Sequence, residues 1–342
     1  MHRVTLVFIL FLLIPDLYIY LVYVVRKTRK AVLHCLYWLP TLLLAAGYVY
    51  FIFLTGDNAM SNHTQAIGRL AITIMLFVFP KTIFMLCSLV GVLAHFIIRR
   101  CPRSPFTAIG LVLAVVSFFN ILYGTLAGIT RFDTKEVEYR SANIPEGFDG
   151  YRIVQISDIH IGSWQGNPEP IKQLVDLVNG QKPDLIVFTG DLVNQQSQEI
   201  LSQLYAPDGV YSILGNHDYG SYYHWQSPKA EIANLDYLIR QQKAMGWKLL
   251  NNEHDILHHK GDSIALIGVE NDGEPPFSQF ADLPQAMQGT EGMFQILLSH
   301  NPTHWRREVL PQSDISLMLA GHTHAMQGIL FGHSLAELIY PE

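Results

Sequence analysis

The chain changes character near residue 130, where long apolar runs give way to short alternating segments. Each of four apolar runs before this point is long enough to supply the roughly 20 helical residues that cross a bilayer core. A buried core helix is the ordinary explanation of one such run, but four in succession with so few charges favour membrane spans. The predicted spans lie near Val4–Val25, Val32–Leu54, Leu70–Ile98 and Phe106–Ile129.

The basic residues between these runs predict how the chain is oriented. The first run has no small-residue cleavage site and ends in a basic cluster, so we interpret it as a retained span and not as a signal peptide. The loop between the second and third runs carries only Arg69. By the positive-inside rule, the two basic loops face the cytoplasm. We therefore expect a multi-pass cell-membrane protein whose part after residue 130 lies on the extracytoplasmic side. The basic residues of these loops are Arg26, Lys27, Arg29, Lys30, Arg99, Arg100 and Arg103.

Two charged residues lie inside predicted spans, Asp16 in the first and Lys81 in the third, each directly after a proline. Charges at membrane depth usually pair with one another or mark a pathway. Two interpretations stay open from the sequence. The residues form an ion pair inside the bundle, or each is solvated near a bent helix.

After residue 130, β-branched runs alternate with amphipathic stretches, which predicts an α/β domain. We divide the chain into a transmembrane bundle (1–130), a linker with a first strand (131–149) and a second domain (150–342). Predicted strands are Arg152–Ile156, Asp184–Phe188, Val210–Leu214, Ile264–Val269, Phe294–Leu298 and Ile315–Leu319. Predicted helices are Pro170–Val178, Lys229–Met245 and Thr303–Val309.

Charge and cysteine content narrow the chemistry of the second part. Ten Lys and Arg and two Asp and Glu precede residue 131, while thirteen basic and twenty-seven acidic residues follow it. So acidic a domain is not expected to bind nucleic acid by bulk electrostatics. All three cysteines (Cys35, Cys87 and Cys101) precede residue 131, which excludes disulfides and zinc thiolates from the domain.

Nearly every predicted strand of the domain is followed by a polar cluster. Ligands bind at the carboxyl ends of strands in open α/β sheets, so the clusters predict one shared site. Carboxylate, imidazole and amide oxygen without thiolate suit manganese, iron or zinc better than calcium. Two divalent cations would need a bridging carboxylate and several terminal ligands. The clusters are Asp158-Ile159-His160, Gly190-Asp191, Gly215-Asn216-His217-Asp218, His300 and Gly321-His322-Thr323-His324.

In this order, the five clusters resemble the pattern of the calcineurin-like metallophosphoesterase family. The resemblance covers roughly Arg152 to His324 and implies an α/β/β/α sandwich with two divalent metal ions (Mn, Fe or Zn). It also implies that a hydroxide held between the metals attacks phosphorus in line. Asp191 would bridge the metals, His217 would stabilise or protonate the leaving oxygen, and Asp218 would orient His217. The terminal ligands would be Asp158, His160 and His324 for one metal, and Asn216, His300 and His322 for the other.

The chain departs from the family pattern in three places. Asn194 stands where an acidic residue often follows the second cluster, and Ala325 and Met326 replace a glycine pair common after the last. The chain also ends eighteen residues after His324, where the family usually continues through further strands. We therefore expect a second sheet that is completed differently or is short of its last strands. The aromatic stretch Tyr222–Trp225 is either a substrate-facing lid or a loop packed on the domain, and packing is favoured.

The resemblance and the membrane part together predict a membrane-anchored phosphoesterase that hydrolyses phosphate esters. A lipid, a lipid-linked phosphate or another extracytoplasmic phosphate ester is the expected substrate. A membrane sensor or scaffold that uses the fold only for binding is the main alternative, and a transporter with a regulatory domain is a weaker one. The intact set of candidate ligands favours the enzyme.

Overall fold

The computed structural model describes residues 2–54, 63–160, 167–192, 198–221, 223–275, 278–323, 329–330 and 333–334. The chain divides into two compact units, Met1–Arg131 and Phe132–Glu342. The first unit is helical and the second has α/β structure, as the change in sequence pattern predicts.

The first unit contains four long apolar helical segments. The second, third and fourth of these segments are long and apolar enough to cross a membrane, while the apolar part of the first, Phe8–Val24, is shorter. Large apolar side chains such as Phe96 and Leu126 are 83% and 73% exposed, as lipid-facing residues are. The helices are α1 (His2–Ile19) with a π-helical turn at Tyr20–Val24, α2 (Ala31–Val49) with a π-helical turn at Tyr50–Leu54, α3 (Thr64–Ile97), and α4 (Ser104–Leu126) followed by the 3₁₀ turn Gly128–Thr130.

A buried polar cluster connects the first three helices of this unit. The Lys81 Nζ atom lies 2.8 Å from Asp16 Oδ1, and Asp16 is only 1% exposed. Tyr37 donates to Asp16 Oδ1 at 3.0 Å, and Thr41 donates to Asp16 Oδ2. The carboxylate is therefore neutralised by one cation and solvated by two hydroxyls, which a charge away from water requires. This confirms the interpretation of Asp16 and Lys81 as a pair.

The second unit contains two four-stranded sheets, in the orders β1-β2-β3-β4 and β5-β6-β7-β8. All pairs in the first sheet are parallel, whereas in the second β5 pairs with β6 antiparallel and the other pairs are parallel. The strands are β1 (Ile153–Ile156), β2 (Leu185–Phe188), β3 (Val210–Ser212), β4 (Lys248–Leu249), β5 (Glu253–His259), β6 (Asp262–Gly268), β7 (Gln295–Leu298) and β8 (Leu317–Leu319), with a separate antiparallel pair β9 (Ile329–Leu330) and β10 (His333–Ser334).

Helices cover the outer face of each sheet. Beside the first sheet lie α5 (Glu169–Gly180), α6 (Gln198–Leu201) and α7 (Pro228–Ala244). Beside the second lie α8 (Leu283–Met287) and the π-helical segment Trp305–Val309, which continues into α9 (Leu310–Gln312).

The buried residues of β2 show how the layers are built. Leu185 and Val187 pack into the core shared with the second sheet, whereas Ile186 and Phe188 pack into the core shared with α5 and α7. Successive side chains of a strand point to opposite faces, so a strand buried on both faces is apolar throughout. The predicted fold class, helical membrane segment plus α/β/β/α sandwich, is confirmed.

Each of the six predicted strands has an observed counterpart with shifted ends. Residues 131–149, all of them described by the structure, were predicted to include a first strand; they contain the 3₁₀ turn Glu146–Phe148 and no strand. Tyr139 in this stretch donates its hydroxyl to the Ser316 carbonyl at 3.0 Å. A single side-chain contact of this kind does not make a strand ladder.

Candidate metal centre

Three candidate ligands lie on the loops that directly follow β1 and β2. Asp158, His160 and Asp191 have left-handed backbone conformations with φ of 54°, 44° and 59°, and His322 after β8 has φ of 73°. A non-glycine residue in such a conformation costs about 1–3 kcal/mol, and such residues cluster at functional sites. The strain favours a site at the carboxyl ends of these strands.

Main-chain hydrogen bonds hold these loops together. The Asp158 amide donates to the Gly190 carbonyl at 3.0 Å, and the His160 amide donates to the Asp191 carbonyl at 3.1 Å. The His322 amide donates to Asp158 Oδ2 at 3.0 Å, which connects the second sheet to the first. Candidate ligands from both sheets therefore meet in one place.

Glycines allow this close approach. A Cβ atom on Gly190, whose φ is +97°, would lie 2.6 Å from the Gly215 nitrogen and 2.7 Å from His300 Nδ1. A Cβ atom on Gly321 would collide with Ser157 and Asp158. The glycines that precede Asp191 and His322 thus leave space for main chain and ligands.

Asp191 is the centre of the arrangement. It belongs to two groups of possible metal donors whose atoms lie within 4.8 Å of one another, one with Asp158 and His300 and one with His160 and His217. Asp191 Oδ2 lies 3.5 Å from both His160 Nε2 and His300 Nε2, and it is buried without a hydrogen-bond partner in the described part of the chain. An unbonded buried carboxylate oxygen beside two imidazole nitrogens fits a site for cations.

The Asn216 amide oxygen connects the remaining ligands. It lies 3.1 Å from His300 Nε2 and 2.9 Å from His322 Nδ1. His300 Nδ1 lies 2.7 Å from the Thr189 carbonyl, which can only accept, so Nδ1 carries the proton. His300 Nε2 is then the nitrogen with a lone pair, in the orientation that metal-binding histidines have.

The electrostatics of the site favour a charged Asp191. Burial raises the pKa of the Asp191 carboxyl, but the imidazoles of His300 and His217 and the His217 amide outweigh it, and the pKa is lowered overall. For His300, burial lowers the pKa, while Asp191 and the Thr189 carbonyl raise it above its ordinary value. The pKa of His322 is lowered, first by burial and then by His300. The carboxylate therefore keeps the negative charge that a cation requires.

The two candidate catalytic residues lie beside this centre. The half-buried His217 ring packs edge-on against His160 with centroids 5.0 Å apart, and its amide donates to Asp191 Oδ1 at 2.9 Å. Asp218 is 2% exposed, and its Oδ2 accepts from the amides of Asp191 at 2.8 Å and Gly215 at 2.9 Å. Asp218 thus fixes the main chain on both sides of the site, a role that the sequence did not indicate. Its role in orienting His217 stays a prediction.

Several residues considered in the sequence lie outside the described residues: His324, Asn194, Ala325, Met326, and Tyr222 of the aromatic stretch. The assignment of His324 as a ligand stays a prediction. In the rest of the aromatic stretch, Trp225 Nε1 donates to the Gly220 carbonyl at 2.8 Å and its ring packs on Tyr223 with centroids 4.6 Å apart. Both contacts lie within the loop itself, so its packing on the domain stays a prediction.

A second polar cluster behind His300 was missed by sequence reasoning. His304 is fully buried, with Nδ1 2.9 Å from the Ser299 hydroxyl and Nε2 2.9 Å from Glu308 and 3.3 Å from Asp272. Arg307 forms an ion pair with Asp272. The cluster supports the main chain next to His300. The only signal in the sequence was the spacing of His304 and Glu308 by one helical turn, which is common on any helix.

Comparison with known proteins agrees with this geometry. The family model described as calcineurin-like phosphoesterase matches residues 151–326, more than half of the chain. The chain belongs to the calcineurin-like phosphoesterase family. A second family model, described as the transmembrane domain of a probable calcineurin-like phosphoesterase, matches residues 2–129. The predicted family is confirmed, and both units have counterparts among known phosphoesterases.

Individual relatives include metallophosphoesterases from an animal and from bacteria. A transmembrane protein with metallophosphoesterase domain from Danio rerio is 30% identical over 236 residues, which cover 65% of this chain and 50% of the relative. The metallophosphoesterase YkuE of Bacillus subtilis is 32% identical over 212 residues, which cover 57% of this chain and 65% of that protein. The UDP-2,3-diacylglucosamine pyrophosphatase LpxG of Chlamydia trachomatis is 38% identical over 235 residues, which cover 54% of this chain and 68% of that protein. The chain spans about half to two-thirds of the length of the first two phosphoesterases.

Proposed function

We propose that this chain is a membrane-anchored phosphoesterase that hydrolyses phosphate esters with two bound divalent cations. The position of Asp191 carries the proposal, because one buried carboxylate belongs to both groups of candidate ligands. We assign Asp191 as the bridging ligand. The terminal ligands would be Asp158, His160 and His324 at one cation and Asn216, His300 and His322 at the other.

Bound cations of the manganese, iron or zinc type would neutralise charge on the phosphate and lower the pKa of a water molecule. Residues of the chain itself supply the other functions needed for hydrolysis. His217 is half-buried at the edge of the ligand cluster, so its imidazole can hold a proton for the leaving oxygen. Asp218 accepts from the Asp191 and Gly215 amides and so holds the main chain that carries Asp191 and precedes Asn216; its role in orienting His217 stays a prediction from the family resemblance.

We further propose a lipid-linked phosphate ester as the substrate. The helices of the first unit expose large apolar side chains along lengths that cross a bilayer. One relative is named for cleaving UDP-2,3-diacylglucosamine, a substrate that carries acyl chains. An enzyme held at a membrane meets such molecules at a high local concentration.

The orientation of the catalytic unit is part of the proposal. The basic loops after the first and third predicted spans support an extracytoplasmic second unit in the predicted four-span topology. A reporter enzyme that is active only outside the cytoplasm, fused after Glu342, should be active in intact cells. Activity only of a cytoplasmic reporter at the same position would reverse the orientation.

The test of the activity uses the detergent-solubilised full chain, stripped of metal and titrated with manganese. Chromogenic phosphomonoester and phosphodiester substrates are compared for the wild type, Asp191→Ala, His217→Ala and His258→Ala. Metal-dependent turnover should disappear in Asp191→Ala and fall about 10²–10⁴-fold in His217→Ala, as expected when a general acid is lost. His258 is exposed on β5 beside Ser263, so His258→Ala is the matched control and should behave as wild type.

Metal content measured on the same samples separates the alternatives. Turnover that persists in Asp191→Ala would refute the bridging assignment. A wild-type chain that binds two cations and hydrolyses neither ester class nor lipid-linked phosphates would favour the sensor or scaffold.

A further inference from the structure

An apolar pocket lies against the ligand cluster, on the side of the first sheet that α5 covers. Its volume is about 160 Å³. Most of its lining is aliphatic or aromatic, with one serine and one carboxylate at its edge. The lining residues are Phe132, Ile156, Ser157, Asp158, Ile159, Ile171 and Leu174.

The pocket and the candidate metal centre share a wall. Asp158 lines the pocket and also belongs to the ligand group with Asp191 and His300. Ile159, which is 8% exposed, stands between Asp158 and His160 in the chain, so an apolar side chain separates two candidate ligands. Asp158 is therefore a candidate ligand that also forms part of the edge of an apolar pocket.

The lining is rigid where it meets the core. Ile156, Ile159 and Ile171 belong to the buried cluster between the first sheet and its helices, and Leu174 packs against that cluster. Phe132 is half-buried and completes the lining. An apolar cavity of this size is not filled favourably by water, and an engineered cavity of about 150 Å³ binds benzene.

We propose that this pocket is the subsite for an aliphatic chain of the substrate, attached close to the scissile phosphate. This inference rests on the proposed phosphoesterase activity and defines its substrate class. By volume the pocket holds an apolar group of about six carbon atoms, by comparison with benzene. Selection for an aliphatic chain beside the phosphate is the chemistry that distinguishes a lipid phosphate from a soluble sugar phosphate.

The test is a chain-length series of n-alkyl phosphate esters in the ester class that shows turnover, from methyl to decyl. Each ester is used below its critical micelle concentration, so that aggregation of the longer esters is not mistaken for a preference of the enzyme for long chains. Each methylene buried contributes about 0.8 kcal/mol, which corresponds to about a fourfold rise in kcat/KM per carbon. The rise should continue to about six carbons and then level off.

Two substitutions of Leu174 should shift, in opposite directions, the chain length at which kcat/KM stops rising. Leu174→Ala enlarges the pocket and should extend the rise by about three carbons, the number of side-chain carbons removed. Leu174→Phe fills the pocket and should end the rise in kcat/KM at shorter chains. Val178→Ala is the control, because Val178 lies one turn further along α5 in the same core without lining the pocket. It should lower stability and leave the chain-length profile unchanged.

A binding measurement makes the inference independent of turnover. Non-hydrolysable n-alkyl phosphonates, titrated calorimetrically into the manganese-loaded protein, should bind more tightly with chain length up to the same limit. If the esters are hydrolysed but neither kcat/KM for the esters nor affinity for the phosphonates changes with chain length, the pocket inference is overturned and the proposed phosphoesterase activity is kept. If no ester is hydrolysed, the proposed function fails, and phosphonate affinities alone decide whether the pocket takes an aliphatic chain.

Discussion

Replacing Asp218 with Asn tests how the candidate metal centre is held together. The Asp218 carboxylate is buried, and one oxygen accepts from the amides of Asp191 and Gly215 at 2.8 and 2.9 Å. Asn has nearly the same shape and can offer an amide oxygen to both amides. The substitution therefore removes the charge and leaves the geometry, which makes the size of the effect calculable.

Hydrogen bonds to a charged group contribute about 1.5–3 kcal/mol and neutral ones about 0.5–1.5 kcal/mol. Over two bonds, Asp218→Asn should lower the free energy of unfolding of the second unit by about 2–3 kcal/mol. For a domain of this size the melting temperature should fall by about 5–10 °C. The Asp191 main chain also carries a ligand, so cation affinity should fall about 10–100-fold, as for other residues that hold ligands in place.

The assay pairs thermal unfolding with manganese binding and with kcat and KM at saturating metal. Asp176→Asn on the exposed face of α5 is the control and should leave all of them unchanged. The family resemblance instead implies that Asp218 orients His217. An Asp218→Asn protein with wild-type stability and metal affinity, but with kcat reduced and its pH profile shifted, would refute our reasoning in favour of that role.

Two other buried clusters lead to predictions. In the first unit, Lys81→Met should destabilise the bundle by about 3–5 kcal/mol because it leaves the Asp16 carboxylate buried without its cation. Adding Asp16→Asn should recover most of the loss, since one of the hydroxyls of Tyr37 and Thr41 can still donate to the amide oxygen while the other accepts from the amide nitrogen. Thermal unfolding in detergent measures both variants, and a double variant no more stable than Lys81→Met would contradict the pairing. In the second unit, burial lowers the pKa of His304 although Glu308 raises it. The folded protein therefore binds fewer protons at His304 than the unfolded chain, and the stability from this residue is complete above about pH 6.5 and lost as the pH falls below it. The melting temperature of His304→Gln should thus decrease less than that of the wild type between pH 7.5 and 5.5, and parallel decreases would show that the pKa of His304 is the same in the folded and unfolded states.

The fold was readable from the sequence where burial imposes a simple pattern. The β-branched run Asp184–Phe188 predicted a strand, and both faces of the observed strand β2 are buried. The short strand Lys248–Leu249 was not predicted, because two residues are too few to show a period. The observed strand ends differ from the predicted ends by a few residues, because hydrogen-bond pairing and not hydrophobicity decides where a strand ends.

The site was readable to the extent that its residues stand next to glycines after strands. Asp191, Asn216 and His322 follow a glycine, Asp158 follows a strand without one, and the structure brings their loops together. The residues that hold them were not found, because their partners are distant in sequence or lie in the main chain. Thr189 contacts His300 through its carbonyl oxygen, an atom that every residue possesses and no sequence motif can mark.

This division between ligands and supports has a physical basis. A ligand must offer a particular atom to a cation, so its residue type is restricted and a pattern results. A residue that holds a ligand in place only has to accept a hydrogen bond or exclude water, and many residue types can do so. Asp191 does both, because its side chain reaches both ligand groups while its main chain is bonded to His160 and Asp218. Its strained backbone is therefore held from two sides by the loops whose ligands it connects. A substitution at Asp191 should accordingly affect the cations and the packing of these loops together, whereas Asp218→Asn acts on the loops first and reaches the cations only through them.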